Sequence, residues 1–401
     1  MRRVVSMRLP CGLLRATGAA LLLGLMVGLA ACTPPAPSVE ARLQATLDSL
    51  RAADGFPGAT AAVVTPDGAL HAAATGWADR EDSTRMTPET RMLGGSTGKS
   101  FAAAVVLALA QEGRLDLDAP LARWLGDRPW FDRLPNADAL TLRHLLRHRS
   151  GLRDHIHDPA FAAAMQARIE AEGPSAAMAP EAVVRFVLNT APLFPAGAGY
   201  HYSDTNYILA GLAVEAVTDS AYYDVLRERL LDPLGLTHTA PADRPDLPGL
   251  AAGYLEGEAP FDLPPKVTRE GALVYNPATE WTGGGLVTNP QDLARWAKAL
   301  YEGAALPGDY RGELLDAVPK DSTQQARLGP DVRYGLGVTI YTTPLGETYG
   351  HEGWTPGYRS LFAYYPAHDI AVALQVNALG PYDLTGYAVR LARAARTAID
   401  P

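Results

Sequence analysis

Ser96, Thr97, Gly98 and Lys99 stand where a glycine-rich turn runs into an alanine-rich apolar stretch. Three positions apart on a helix, a hydroxyl and an amine share one face, so Lys99 can reach Ser96 and take its proton. Such a pair is a nucleophile with its base attached, suited to attack on a carbonyl carbon.

The elements that must position this pair can be read from periodicity. Residues 39–53 carry Leu43, Leu47 and Leu50 at helical spacing and predict an amphipathic first helix. Two small, apolar runs, 59–64 and 69–75, flank Thr65-Pro66-Asp67-Gly68, and the Asp-Gly pair marks a hairpin turn. The helix opening at Ser96 is expected to run to Glu112 and stop at Gly113. From 141 to about 265 the chain turns to helices (141–149, 180–189, 204–218, 222–234) and long connections. Strand-like runs return at 334–342, 358–365 and 370–376, and 388–398 reads as a closing helix. The expectation is an α/β (α+β) fold, a central antiparallel β-sheet flanked by helices. Its sheet part comes from 41–140 and 266–398, and a mainly helical subdomain is inserted over 141–265.

Two other patterns overlap the Ser96 turn. Gly94-Gly95-Ser96-Thr97-Gly98 fits a Gly-x-Ser-x-Gly nucleophile elbow, but that elbow follows several strands and here one hairpin precedes it. Gly98-Lys99-Ser100 ends like a phosphate-binding loop, but the required first glycine falls on Leu93.

Downstream segments favour the Ser-x-x-Lys reading. They are the run from Thr141 through His144 and His148 to Gly151-Leu152, then Tyr202-Ser203-Asp204-Thr205-Asn206, Trp281-Thr282-Gly283-Gly284-Gly285, Tyr334-Gly335-Leu336-Gly337 and His351-Glu352-Gly353. In this order they resemble the penicillin-recognising serine hydrolases of the class C β-lactamase and D-alanyl-D-alanine carboxypeptidase type, over about residues 41 to 395. The resemblance implies an acyl-enzyme on Ser96 with Lys99 as base and Tyr202 as second proton carrier. It also implies an edge strand along the cleft bearing His351 and Gly353, and an oxyanion hole from the backbone amides of Ser96 and Trp354. By burial near a cationic Lys99, Tyr202 is expected to favour its phenolate or a strong hydrogen bond to Ser96. His351 would hold a substrate carboxylate when protonated, or relay a proton between Tyr202 and Ser96. Gly353 would let the strand come close to substrate.

One position departs from the pattern. Relatives usually carry Asn where this chain has Asp204, and a carboxylate there offers acceptors and no donor. Asp204 either stabilises Lys99 in its charged form, which weakens the base, or caps the helix that follows. Gly283 to Gly285 are expected to shape a close backbone approach, and Pro195, Gly197 and Gly199 the loop presenting Tyr202. His155-Ile156-His157-Asp158 is a weak metal-ligand pattern, and neither metal nor cofactor is expected.

The ends and the charge bound location and partners. Arg2, Arg3, Arg8 and Arg15 precede an uncharged apolar run that ends in Leu29-Ala30-Ala31-Cys32. Residues 1–31 therefore read as a signal peptide, and the last four positions resemble the lipobox of bacterial lipoproteins, with Cys32 acylated. A Pro-rich tether (32–40) would join that membrane anchor to a hydrolase domain at 41–398, an exported protein facing the periplasm or cell surface. Cys11 lies in the leader, so the mature chain has no disulfide. Removing the leader takes the net charge from −9 to about −13, which repels phosphate backbones and argues against nucleic acid. The expected substrates are cell-wall stem peptides and other D-amino-acid peptides, then small esters, then β-lactams; the alternative, supported by Asp204, is a non-catalytic protein of the same fold that binds such molecules without turnover.

Overall fold

The computed structural model describes residues 37–256 and 262–399. The expected leader, Cys32 and most of the tether lie outside the described residues. The tether gives way before position 40. Ser38 Oγ accepts from Ala41 N and caps the first helix, Val39–Asp54.

A nine-stranded antiparallel sheet forms the centre. In spatial order its strands are Val318–Pro319, Arg333–Tyr334, Thr339–Thr343, Gly346–Thr355, Tyr358–Tyr365, Ile370–Val376, Gly58–Val64, Leu70–Asp79 and Thr84–Arg85. Gly58–Val64 pairs with Leu70–Asp79 on one side and Ile370–Val376 on the other, so strands from both chain ends meet in the middle. Both of its faces are buried. Ala59, Ala61 and Val63 pack with Leu43, Leu47 and Leu50 of the first helix and with Tyr387, Leu391 and Ala395 of the closing helix Leu384–Ile399. Ala62 and Val64 face the opposite core, with the helices Gly98–Gln111 and Pro290–Glu302. Strand side chains alternate between faces, which explains a run that is apolar at nearly every position.

In the region 141–265 the regular structure is chiefly helical: Asp204–Thr218 is found as expected, Leu142–Leu146, Pro180–Val184 and Tyr222–Leu226 are shorter than expected, and Pro159–Glu172 was not foreseen. Two further features differ from the sequence reading. The single strand expected over 334–342 is broken at Leu336-Gly337, where Gly335 N bonds Val338 O and Gly337 takes φ +70°. A methyl group on Gly337 would stand 2.7 Å from Lys99 O, so the break lets the sheet edge rest on the Lys99 backbone. The His351 strand is also not an edge strand. It lies between Thr339–Thr343 and Tyr358–Tyr365, because the broken segment supplies further strands beyond it.

Candidate active site

Ser96 sits on a single 3-10 turn, Gly95–Thr97, and Lys99 on the first turn of the α-helix Gly98–Gln111. Gly94 N bonds Leu286 O at 2.8 Å, and Gly95 takes φ +53°, which turns the chain sharply into the helix. The helix is buried on every side from Gly98 to Leu109, which accounts for its alanines and the lack of a polar face.

Lys99 is fully buried, and its Nζ lies 3.0 Å from Ser96 Oγ. It also donates to Gly283 O at 2.5 Å and forms an ion pair with Asp204. That geometry answers the question left open about Asp204. Ser203 is the cap residue of helix Asp204–Thr218, and Asp204 is the buried counter-charge of Lys99. Such partners offset the cost of removing an ammonium from water. Gly283 O can reach Lys99 because glycines meet there: a methyl group on Gly284 would stand 2.6 Å from Gly95 C and 3.0 Å from Ser96 N.

Tyr202 is aligned by His148. His148 O accepts from His201 N at 2.9 Å and His148 Nδ1 from Ser203 N at 3.2 Å, so the neighbours of Tyr202 on both sides are tied to one residue. The two rings lie 4.2 Å apart. Sequence reasoning placed His148 in one of the ordered segments but could not see this clamp. Gly197 N bonds Arg149 O at 2.8 Å, which anchors the loop leading into Tyr202. Burial, followed by the charge of Asp204, pushes the Tyr202 phenol well above its usual range, and the Ser96 hydroxyl pulls the other way. With Lys99 neutralised by Asp204, Tyr202 is a neutral phenol and the expected phenolate is not favoured.

The His351 strand crosses the serine turn. A methyl group on Gly353 would stand 2.0 Å from Gly94 O and 2.9 Å from Ser96 N, and one on Gly95 2.8 Å from Trp354 N. The amides of Ser96 and Trp354 therefore border the same contact, where an oxyanion would form. His351 differs from its expected roles. Its Nδ1 faces Glu352 O at 2.5 Å, an acceptor, so Nδ1 carries the proton and Nε2 accepts from Tyr334 Oη at 2.8 Å. Burial, then the charge of Lys99, pulls the imidazole down to about 3. It is neutral at ordinary pH with both nitrogens occupied, so it neither holds a carboxylate as a cation nor relays between Tyr202 and Ser96.

Two arms open from Ser96 and share Asp154, His157, Tyr202 and Trp354. The smaller, about 140 Å³, is lined by Ile156, Phe161, Met165 and Tyr275 together with Asp204 and Glu280. Asp154 Oδ1 accepts from Asp204 N at 3.1 Å. Burial and then the charge of Asp204 raise Asp154 well above the usual carboxylate range and Glu280 to about 7. The larger arm, about 340 Å³, is lined by Tyr200, His201, Lys320, Arg327, Thr339 and His351. Asp154, Glu280 and Lys320 were not found from sequence. The first two directly adjoin segments that were singled out, His155–His157 and Trp281–Gly285. The metal-like pattern dissolves: His155 Nδ1 bonds Thr205 Oγ1 at 2.9 Å and Asp158 caps the helix Pro159–Glu172.

A family model described as Beta-lactamase matches residues 43–396. The chain belongs to the Beta-lactamase family. Penicillin-binding protein 4* of Bacillus subtilis is 26% identical over 286 residues, covering 68% of this chain and 57% of the relative, so the chain spans a little over half of that protein. Among solved structures, a D-stereospecific amidohydrolase from Streptomyces sp. superposes with a TM-score of 0.74 at 28% identity, covering 89% of this chain and 98% of that one. A D-amino acid amidase from Ochrobactrum anthropi SV3, complexed with D-phenylalanine, superposes at 0.74 with 25% identity, covering 90% and 99%. The mixed sheet-and-helix architecture of this Beta-lactamase-family chain is thus that of solved relatives along nearly its whole described length.

Proposed function

We propose that the protein is a serine hydrolase that acylates Ser96 with the aminoacyl part of a D-amino-acid amide or short D-peptide and then releases it to water. The observation that carries this reading is the small arm beside Ser96. Its crowded acids suit a free α-ammonium, whose entry favours ionisation of Glu280, held at about 7 by burial and by the charge of Asp204, and Ile156, Phe161 and Met165 suit an apolar side chain. The D configuration is supported by the amidohydrolase and amidase relatives. A blocked stem peptide fits less well, because no ammonium adjoins its scissile carbonyl. Turnover of β-lactams is disfavoured by Asp204, whose carboxylate is tied to Lys99 and offers no donor.

In this mechanism Ser96 Oγ attacks the carbonyl carbon while the amides of Ser96 and Trp354 receive the negative oxygen. The serine proton goes to Lys99 Nζ once the ammonium has passed a proton to Asp204. Tyr202 gives its proton to the leaving nitrogen as the C–N bond breaks, and is reprotonated through Lys99. Water then attacks the ester by the reverse route, and the acid product leaves.

The test is a panel of D-phenylalanine amide, D-Ala-D-Ala, its N-acetyl derivative, a nitrophenyl ester and nitrocefin. D-aminoacyl substrates should turn over fastest, and Ser96→Ala should lower that rate by about a thousandfold or more. A folded protein that cleaves none of them, and whose Ser96 takes no fluorophosphonate label, would sink the reading.

We further propose that the protein is exported and lipid-anchored at a bacterial membrane through Cys32, on the support of the Leu29-Ala30-Ala31-Cys32 signal. Cys32→Ala should move the protein from the detergent phase to the aqueous phase. Unchanged partitioning would exclude the anchor.

A further inference from the structure

Lys320 is a buried cation that the mechanism above does not use. It stands between the edge strand Val318–Pro319 and the helix Ser322–Leu328, with its backbone held by Val332 O and by the Gln325 side chain. Only 8% of the residue is exposed, yet it lines the larger arm of the cleft, whose lining also includes Ser96. Among the described residues no carboxylate lies within ion-pair distance of its Nζ. The one hydrogen bond is a long one, 3.4 Å to Thr339 Oγ1, and the ammonium otherwise lies 5.1 Å from the centre of the Tyr334 ring.

Acids near the arm are already engaged. Asp154, which lines both arms, accepts from Asp204 N at 3.1 Å, and burial holds its carboxyl well above the usual carboxylate range. Glu352 pairs with Arg327 at 2.6 Å and with Arg359 at 3.5 Å, and accepts from Thr385 Oγ1. Asp321 caps the helix by accepting from Gln324 N. A second donor in the arm is also unmet: Tyr200 Oη is buried and has no partner. The chain itself uses lysine sparingly. Of its 35 basic residues only four are lysines, namely Lys99, Lys266, Lys298 and Lys320. Lys266 and Lys298 are each matched with acids, Lys99 serves the nucleophile, and Lys320 alone is left without an acid.

We propose that Lys320, assisted by Tyr200, binds the carboxylate of the substrate's leaving group, so that the preferred substrates are short D-peptides with a free C-terminus rather than simple amides. The inference rests on the hydrolase reading above, which puts the acyl part in the acidic arm and so leaves the larger arm for the departing amino acid. The cleft then matches a zwitterion, with the ammonium toward Glu280, the carboxylate toward Lys320, and the scissile carbonyl between them at Ser96. A desolvated ammonium with no competing acid recognises a carboxylate far better than a solvated one does.

The test uses a matched pair, D-Phe-D-Ala and its C-terminal amide, in binding and in turnover. Calorimetry on the Ser96→Ala protein should show the acid bound at least about tenfold tighter than the amide. That preference should disappear in Ser96→Ala/Lys320→Gln and return in Ser96→Ala/Lys320→Arg, with melting curves confirming that each variant is folded. Equal binding of acid and amide, no binding of either, or a preference that survives Lys320→Gln would overturn the proposal. Turnover of the same pair by the unmodified protein separates the two readings. A binding preference without cleavage overturns the peptidase reading and keeps the anion site; cleavage without preference does the reverse.

Discussion

On one side of Ser96 the cleft is small and apolar, with Asp204 and Glu280 at its inner wall; on the other it is more than twice as large, lined by Lys320, Arg327, Tyr200 and His201, and Asp154 borders both. The two arms share a floor made of backbone, where Gly95, Gly284 and Gly353 bring three chain segments within touching distance of Ser96 N or Trp354 N. The contrast separates two jobs. The floor fixes the reacting atoms and is indifferent to what is attached to the carbonyl. In the proposed reading the arms recognise the charges on either end of the substrate. Substrate choice would then reside in side chains far apart in sequence, and reactivity in a few glycines and the Ser96–Lys99–Tyr202 group.

Between floor and arms, the larger effect should come from breaking the floor. In Gly353→Ala the new methyl group would meet Gly94 O at 2.0 Å and Ser96 N at 2.9 Å, both backbone atoms that cannot rotate away. The strand must shift by enough to spoil the alignment of the Ser96 and Trp354 amides, and a lost oxyanion donor costs about a hundredfold or more. The expected result is a fall in kcat/KM of about that size for every substrate, with the acid-to-amide preference unchanged. If the variant instead lost one substrate class and kept another, floor and arms would not be separable.

The division also explains what sequence could and could not show. Ser96, Lys99, Tyr202, His351, Gly353 and Trp354 lie in short ordered motifs, so they could be named before the structure was known. The strands 358–365 and 370–376 and the helix 204–218 were legible because apolar runs end at turn residues, and the structure places Tyr358–Tyr365, Ile370–Val376 and Asp204–Thr218 at those bounds. Other elements were missed. The strand Gly346–Thr355 was implied by resemblance and lacks a β-branched run. The helix Pro290–Glu302 was overlooked despite its Asn289 cap and proline at the first turn. Charge states were less accessible still. Nothing local says that His351 is neutral, because its state is set by burial, by Lys99 and by Tyr334, which lie 252 and 17 positions away or are not sequence features at all. Lys320 had one trace, the scarcity of lysine in an arginine-rich chain.

The smallest effect expected is also the one that examines the acidic arm directly. Glu280 is held at about 7 against an ordinary 4.5, by burial first and by the charge of Asp204 second. The folded protein therefore binds this proton more tightly than the unfolded chain does. The stabilisation is complete below about 4.5 and is lost as pH rises through about 7. Glu280→Gln keeps a neutral side chain at every pH, so its melting temperature relative to the parent should be higher at pH 8 than at pH 5. A shift of this kind has a ceiling of ~3 kcal/mol at 1.36 kcal/mol per unit; with Glu280 only half-buried and Lys99 nearby, ~1 kcal/mol is expected, or about 1–3 °C. A difference that is the same at both pH values would mean that Glu280 ionises as it does in the unfolded chain. Glu280 would then be a full carboxylate at neutral pH, and the crowding with Asp204 that an entering ammonium relieves would be absent from the smaller arm.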